Sequence, residues 1–455
     1  MTPLPSATES PNMIDQDPES GAGKGSGNDS GKDSGQNSKR SLILIFLIVL
    51  VDLIGFGIMI PVLPTYARNL GGGAEIGTLT ISLYAIGMLI STPILGRISD
   101  EYGRRPVLML SMAGAIGGYI LLAFSTSIWM VALSRLISGI MAGNIAAAQA
   151  YITDITTPEN RARGMGMLGA AFGLGFIVGP LIGATLGGDS FNTISMTNIA
   201  LTSAVLSGLS FLSILFLLPE SLTSEQKQAA RQEDRISRLE AVRILSRRPI
   251  ILTLVFGGLL YGISAGLIET ILPIWAEAVD VAAGPKDLRL LLVAAGMSLV
   301  IVQGGLIGPL TRRFGEATLL RAGSFIFFIA MFLLVYAGTS SNFYGVVAAM
   351  CVQSASAALI LTSSQSLVSM RADASQRGLV MGLFGSASML GRATGAALTG
   401  LAFSQISVHA PYYGGALLMV ALFLLISRVI KQLNSMHPGQ DLSEQNAEAN
   451  SSPNQ

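Results

Sequence analysis

Charge is what this sequence has least of: Asp, Glu, Lys and Arg together make up 12% of its 455 residues. A soluble domain carries about a quarter charged residues. A chain this poor in charge and 51% apolar cannot coat itself for water, so most of its surface must meet lipid. The net charge of +1 excludes a nucleic-acid footprint. The single cysteine, Cys351, excludes an internal disulfide and a thiolate metal cluster, and it lies in an apolar stretch where packing accounts for it. The two histidines, His409 and His437, both fall outside the long apolar runs. That excludes a histidine proton relay inside a membrane and leaves carboxylates as the carriers. The loops hold no P-loop sequence and no cluster of catalytic or metal-ligating type, so the expectation is a non-enzyme without cofactor or metal.

What the chain has in quantity is apolar runs. A spanning helix needs about 20 apolar residues. Such runs lie near 41–63, 75–96, 106–126, 128–151, 164–187, 197–218, 250–272, 288–309, 318–338, 343–366, 378–402 and 412–432. This predicts an all-α membrane protein of twelve transmembrane helices. Residues 219–249 are charged and divide it into two six-helix bundles, 41–218 and 250–432, with a linker that reads either as solvated chain or as an amphipathic surface helix. Residues 1–40 are rich in Gly, Ser, Asp and Asn, and 433–455 are polar, so both are expected to be disordered tails. The first forty residues lack a signal-peptide pattern, so the first helix is expected to act as its own signal. One set of loops holds Arg97, Arg104, Arg105, Arg161, Arg163, seven basic residues of 219–249, Arg312, Arg313, Arg371 and Arg377. The opposite set holds Arg68, Lys286 and Arg289. The positive-inside rule makes the first set, and both termini, cytoplasmic, in an inner (plasma) membrane.

The halves repeat each other. Leu63-Pro64-Thr65-Tyr66-Ala67 ends the first run, and Leu272-Pro273-Ile274-Trp275-Ala276 ends the seventh. Gly96 to Gly103 follows the second run as Gly308 to Gly315 follows the eighth. Arg161, Gly166, Gly169, Gly175 and Gly179 in the fifth match Arg377, Gly382, Gly385, Gly391 and Gly395 in the eleventh. Repeated six-helix halves place a substrate site between them near the midplane.

Three stretches, VDLIGFGIMIPVLPTYA (51–67), GRISDEYGRRPVLML (96–110) and FGLGFIVGPLIGATLGG (172–188), resemble the major facilitator superfamily, in its twelve-helix drug/proton antiporter group and nearest the tetracycline/proton antiporters. The resemblance covers about 41–432 and is strongest in the first half. The second stretch resembles the family's G-x-L-x-D-R-x-G-R-R/K loop, with Glu101 where the family usually has Arg. Gly96 and Gly103 permit close approach and a tight turn. Asp100 stands where a carboxylate meets Arg104 or a helix terminus. The resemblance implies that Gly96, Asp100, Gly103, Arg104 and Arg105 form a cytoplasmic gate with Asp154 as acidic partner; topologically, Arg104 and Arg105 also anchor the loop inside. The third stretch resembles the antiporter motif G-x-x-x-G-P-x-x-G-G through Gly175, Gly179, Pro180 and Gly183, with Ala184 where a second glycine is preferred. The family implication is export. Small residues also serve helix packing alone. The same family's tetracycline members carry a histidine in the eighth helix and an acidic residue in the ninth; Leu299 and Phe325 stand there instead.

A charge inside the bilayer costs about 2.5–3.5 kcal/mol on insertion scales and marks a functional candidate. Asp52 lies about 16 Å into the first helix, and Arg135 about 20 Å from the same side in the fourth. Their depths agree within one turn, so the expectation is that Asp52 carries the exchanged proton and Arg135 tunes it. The bland alternative is that Asp52 positions a cationic substrate or completes packing. A buried carboxylate holds its proton more tightly when desolvated and less tightly beside a cation, so opening the cavity to one side or the other can load and unload it. Arg392 replaces Phe176 in the repeat. Three readings stay open for it: an anionic substrate group, helix carbonyls, or Glu269. Glu269 lies about 28 Å along the seventh helix, near the outer mouth. Tyr84, Asn144, Gln149, Tyr261, Gln303, Gln353 and Gln365 are candidate cavity residues. The expected activity is proton-coupled export of a small amphipathic organic compound, a drug or a secreted metabolite such as a siderophore, by a monomer whose partners are its substrate, protons and the bilayer. A proton-coupled nutrient importer on the same fold is the alternative.

Overall fold

The structure, a computed structural model, describes residues 30–232, 248–372 and 377–435, and among these it holds helices and no strand. The first half contains α1 (Ser30–Met59), the short α2 (Leu63–Ala67), α3 (Gly73–Tyr102), α4 (Arg104–Ala123), α5 (Ile128–Met141), α6 (Asn144–Ile155), α7 (Pro158–Leu186) and α8 (Met196–Leu217). A linker helix, α9 (Ser224–Gln232), follows. The second half contains α10 (Pro249–Ala278), α11 (Leu288–Ile301), α12 (Ile307–Phe314), α13 (Glu316–Thr339), α14 (Phe343–Arg371), α15 (Arg377–Gln405) and α16 (Ala410–Ser435). Eleven stretches among the described residues are long and apolar enough to cross a membrane. The 29-residue α15 is not among them, because its glycines, serines and Arg392 dilute its apolar character.

Two boundaries differ from expectation, and the described part of the linker takes one of the two forms left open for it. The first helix begins at Ser30, inside the segment expected to be disordered, while residues 1–29 and 436–455 lie outside the described residues. The linker is helical over Ser224–Gln232, and 233–247 lies outside the described residues. The run expected as one helix over 128–151 is two helices, broken at Ala142–Gly143. There Gly143 packs so tightly on the α3 backbone that an added Cβ would lie 2.8 Å from Thr92 N.

Each bundle is organised by one glycine-lined helix pair. In the first, Gly57 of α1 faces Gly175, Gly179 and Pro180 of α7, and Gly175 in turn packs on Leu53. In the second, Gly262 and Gly266 of α10 face the α15 backbone around Ser388 and Arg392, while Gly391 and Gly395 face the α10 backbone at Leu259 and Ile263. Without a Cβ between them the two backbones of each pair approach closely, which maximises van der Waals contact where lipid offers no hydrophobic drive.

The bundles meet at the end remote from Arg97 and Arg104. Arg68 pairs with Glu277 at 2.6 Å, and Lys286 with Asp189 at 2.8 Å. The Lys286 amide donates to Gly188 O at 3.1 Å, and Gly400 of α15 packs on Glu75 and Thr78 of α3. At mid-membrane the approach has loosened: a Cβ on Gly173 would be 3.9 Å from Val300. Nearer the basic end, a Cβ on Gly304, Gly305, Gly382 or Gly385 would have open space around it. The contacts named here thus tie the bundles together at the far end.

Candidate functional site

At the basic end, α3 stops because Gly103 takes φ +116°, a conformation side chains resist. Gly315, its counterpart in the repeat, takes φ +75°. No side chain local to α4 caps its first turn. Glu220 does so from beyond α8: its Oε1 accepts from Arg104 N at 2.9 Å, and from Ser221 N and Leu222 N at 3.0 and 3.3 Å. Lys227 of the linker helix sits 3.4 Å from the same carboxylate. The Arg104 guanidinium pairs with Asp100, donates to Asp154 Oδ2 at 3.1 Å and reaches Ser99 Oγ at 2.8 Å. Ser221 Oγ donates to the same Asp154 oxygen at 2.9 Å. Arg105 caps the end of α8 through Ile214 O and Leu215 O. The structure therefore gathers Asp100, Gly103, Arg104 and Asp154 in one cluster and puts Arg105 on a neighbouring helix end. Gly96 behaves differently, since a Cβ there would make only ordinary contact with Ala146 at 3.5 Å. Glu101 instead pairs with Arg97 on the surface. Glu220 and Ser221 were not among the sequence candidates. They sit at the end of the sixth run, and no pattern couples them to residue 104.

The mid-membrane charges of the first bundle lie at the α5–α6 break. Asn144, at the first turn of α6, directs Nδ2 to Asp52 Oδ2 at 3.5 Å, a long hydrogen bond. Arg135, one of the largest fully buried side chains, lies with its guanidinium 5.4 Å from the Tyr119 ring centroid and 3.5 Å from Ser138 Oγ. Asp52 and Arg135 differ in their hydrogen-bond partners: Asn144 for Asp52, Ser138 for Arg135. They meet instead through shared neighbours: Asp52, Tyr84, Ser111, Tyr119, Ser138 and Asn144 all line one polar cavity of about 10 Å³, room for one water. Asn144 Oδ1 and Ser111 Oγ are buried there without a protein partner, and so, outside the cavity's lining, is Arg135 Nε. Tyr84 also stacks on Phe56, ring centroids 4.5 Å apart. Tyr119, Ser111 and Ser138 escaped the sequence reading because a tyrosine or serine in an apolar run carries no sign of which way it faces. The helix break had a visible signal in Gly143-Asn144, mid-run.

In the second bundle Arg392 is ion-paired with Glu269, one of the three readings left open. Glu269 is accordingly not an isolated group at the mouth, because it lies within side-chain reach of Arg392. Tyr261 is buried beside this pair and edge-on to Phe327 at 6.4 Å. Of the remaining candidates, Gln303 lies half-buried in a π-helical turn, Val302–Leu306, and Gln353 is half-buried with its side chain accepting from Ser354 at 3.3 Å. Gln149 and Gln365 are exposed. Phe325, at the position of the expected acidic residue, is exposed within an aromatic cluster with Phe328 and Phe423. Among the described residues no cluster of His, Cys, Asp and Glu can hold a metal ion.

Known proteins share this architecture. The tetracycline resistance protein, class D, of Salmonella ordonez is 32% identical over 398 residues, spanning 86% of this chain and 98% of that protein. The crystal structure of the human organic anion transporter MFSD10 (TETRAN) superposes with a TM-score of 0.64 at 23% identity, covering 86% of this chain and 99% of that one. That of a D-xylose-proton symporter gives 0.70 at 16% identity, over 85% and 96%. The model of the Major Facilitator Superfamily matches residues 45–351 and 290–451. Two glycine-zipped bundles with charged side chains within their long helices, matched by that model over most of their length, make this chain a member of the Major Facilitator Superfamily, a multi-pass membrane transporter rather than an enzyme.

Proposed function

We propose that the protein is a proton-coupled antiporter that exports a small amphipathic organic compound, with Asp52 as the proton carrier. The observation that carries this reading is the setting of Asp52. Its carboxylate lines a polar cavity at a broken helix, next to an amide that serves either protonation state. Ionised, Asp52 accepts from Asn144 Nδ2; protonated, it has an O–H to donate to Asn144 Oδ1, which is buried and unpartnered. Arg135 is held by Tyr119 and Ser138, two residues that line the same cavity, so its part in tuning the carboxylate is carried through them.

With the basic end assigned to the cytoplasm by the positive-inside rule, the far-end contacts would close the outer side of the state that loads cargo. Closing the basic end and separating the far-end contacts exposes Asp52 to the proton-rich side. Cargo leaves there and a proton enters, and return of the bundles releases the proton inside. The membrane potential supplies about 2.3 kcal/mol per charge per 100 mV, and each pH unit about 1.36 kcal/mol per proton. The gate cluster around Arg104 and the α1–α7 glycine seam give the first bundle the rigidity that rocking requires. Similarity to a tetracycline resistance protein, and at 27% identity to multidrug resistance protein 2 of Bacillus subtilis, supports export of a drug-like compound.

The test uses inverted vesicles with an imposed pH gradient. Wild-type protein should drive uptake of a drug-like cation or zwitterion that collapses when the gradient is dissipated. Asp52→Asn should lose gradient-driven uptake while retaining downhill exchange. Full gradient-driven uptake by that variant would remove Asp52 from the role.

A further inference from the structure

We propose that the Arg392–Glu269 pair is the recognition site for a zwitterionic group, which inserts between the two side chains with its anion on Arg392 and its cation on Glu269. The inference rests on the transporter reading above for access to the site and deepens it by naming the class of cargo.

Position makes the pair reachable. From Leu260 to Ala276 every residue of α10 is buried except the half-buried Ile263 and the exposed Glu269. A lipid-facing side would expose a stripe every three or four residues, as Leu252 and Phe256 do at the start of the helix. A single exposed carboxylate among buried neighbours faces an internal space instead. The side chains of Arg392 and Glu269 are 35% and 46% exposed to that space. Both lie eight residues, about 12 Å, short of the far-end seal: Glu277 is the partner of Arg68, and Gly400 packs on α3. The pair is therefore at the closed ceiling of the cleft, where cargo entering from the basic end stops.

Charge balance selects the cargo. The pair is neutral as it stands, and Tyr261 is buried beside it. A simple anion on Arg392 displaces Glu269 and leaves a carboxylate unpaired inside the membrane; a simple cation on Glu269 strands the arginine. Either is costly. A zwitterion satisfies both ends at once and keeps the site neutral, so Glu269 acts as a placeholder for the cargo's anion while the site is empty. Tyr261, buried beside the pair, backs the site with an aromatic ring.

The test measures equilibrium binding to the full chain in nanodiscs with three matched probes: norfloxacin, which carries a carboxylate and an ammonium; its methyl ester, which keeps only the cation; and its N-acetyl derivative, which keeps only the anion. Wild-type protein should bind the zwitterion about tenfold or more tighter than either single-charge form. Glu269→Gln should shift the preference to the N-acetyl anion, and Arg392→Gln to the ester. The doubly neutral Arg392→Gln, Glu269→Gln protein leaves no stranded charge to impair folding, and it should bind all three forms alike. Equal binding of the three forms by wild type, failure to bind the zwitterion, or a preference unmoved by the substitutions would overturn the inference. The exporter reading fails separately. Charge-selective binding without gradient-driven transport would sink that reading and leave the site standing, and gradient-driven transport with no charge selectivity would do the reverse.

Discussion

His409 sits in the loop before α16 and accepts a hydrogen bond at Nδ1 from Trp275 Nε1 at 3.1 Å. That contact needs Nδ1 unprotonated, and burial holds the imidazole below its ordinary pKa of 6.5. The sign follows directly. The unfolded chain takes up a proton near pH 6.5 and the folded chain resists it, so this residue's contribution is present above that pH and is lost as pH falls through the window below it. Trp275 is fully buried while Trp129, the other tryptophan, is 80% exposed, so a Trp129→Phe background isolates the reporter. Acidification from about pH 7.5 to about pH 5.5 should shift Trp275 emission to the red and lower the unfolding temperature. His409→Gln, which keeps an acceptor but cannot titrate, should flatten that part of the response. An identical acid response in the glutamine variant would remove His409 as its source.

Helix seams lend themselves to a sharper comparison, because the repeat supplies an internal control. A Cβ on Gly183 would run into the Ile58 backbone carbonyl, and one on Gly395 into that of Ile263. Backbone cannot step aside as a side-chain tip can, so Gly183→Val and Gly395→Val should each cost about 1–3 kcal/mol or more through overpacking. The offset 391 − 175 = 216 that aligns α7 with α15 carries Gly183 to Thr399, whose hydroxyl donates to Leu267 O at 2.6 Å. The second seam thus ends in a hydrogen bond where the first ends in bare contact. Gly208 of α8 has open space around it, and Gly208→Ala should leave stability unchanged or slightly raised, since alanine is the better helix former. Thermal unfolding in detergent checks all three. Equal melting temperatures for Gly183→Val and Gly208→Ala would mean that the seam does not hold the bundle.

The same elements explain what the sequence could and could not disclose. Apolar run length located the spans, and glycine spacing located both seams, because each is a local property. The loop motif gave Asp100 and Arg104 as neighbours because they are four residues apart, on either side of the turn at Gly103. Partners supplied from a distant segment stayed hidden: Glu220 reaches Arg104 across 116 positions, and nothing periodic connects them. Depth arithmetic put Asp52 and Arg135 at one level but could not set their rotation about the helix axes. Arg135 lies against the ring of Tyr119, and Asp52 meets Asn144 just past the break at Ala142–Gly143. For Arg392 and Glu269 the same arithmetic separated by about 8 Å two side chains that meet, since two long side chains span more than one turn.

For the whole molecule, the decisive question is whether the far-end contacts must come apart during transport. Arg68 and Glu277 are each more than a quarter exposed, so their ion pair contributes only about 0.2–1 kcal/mol and can be given up without unfolding either bundle. A clamp this weak suits a joint that opens in every cycle. Cysteines at both positions, Arg68→Cys with Glu277→Cys in a Cys351→Ser background, place two thiols across the joint and none elsewhere. A reducible thiol cross-linker should then abolish gradient-driven transport, and its reduction should restore it. Each single-cysteine protein treated with the same reagent should keep its activity. Undiminished transport by fully cross-linked protein would mean that cargo passes without separation of the far end. The two bundles would then not be rocking about the central charges, and the ceiling formed by Arg392 and Glu269 would not lie on the path.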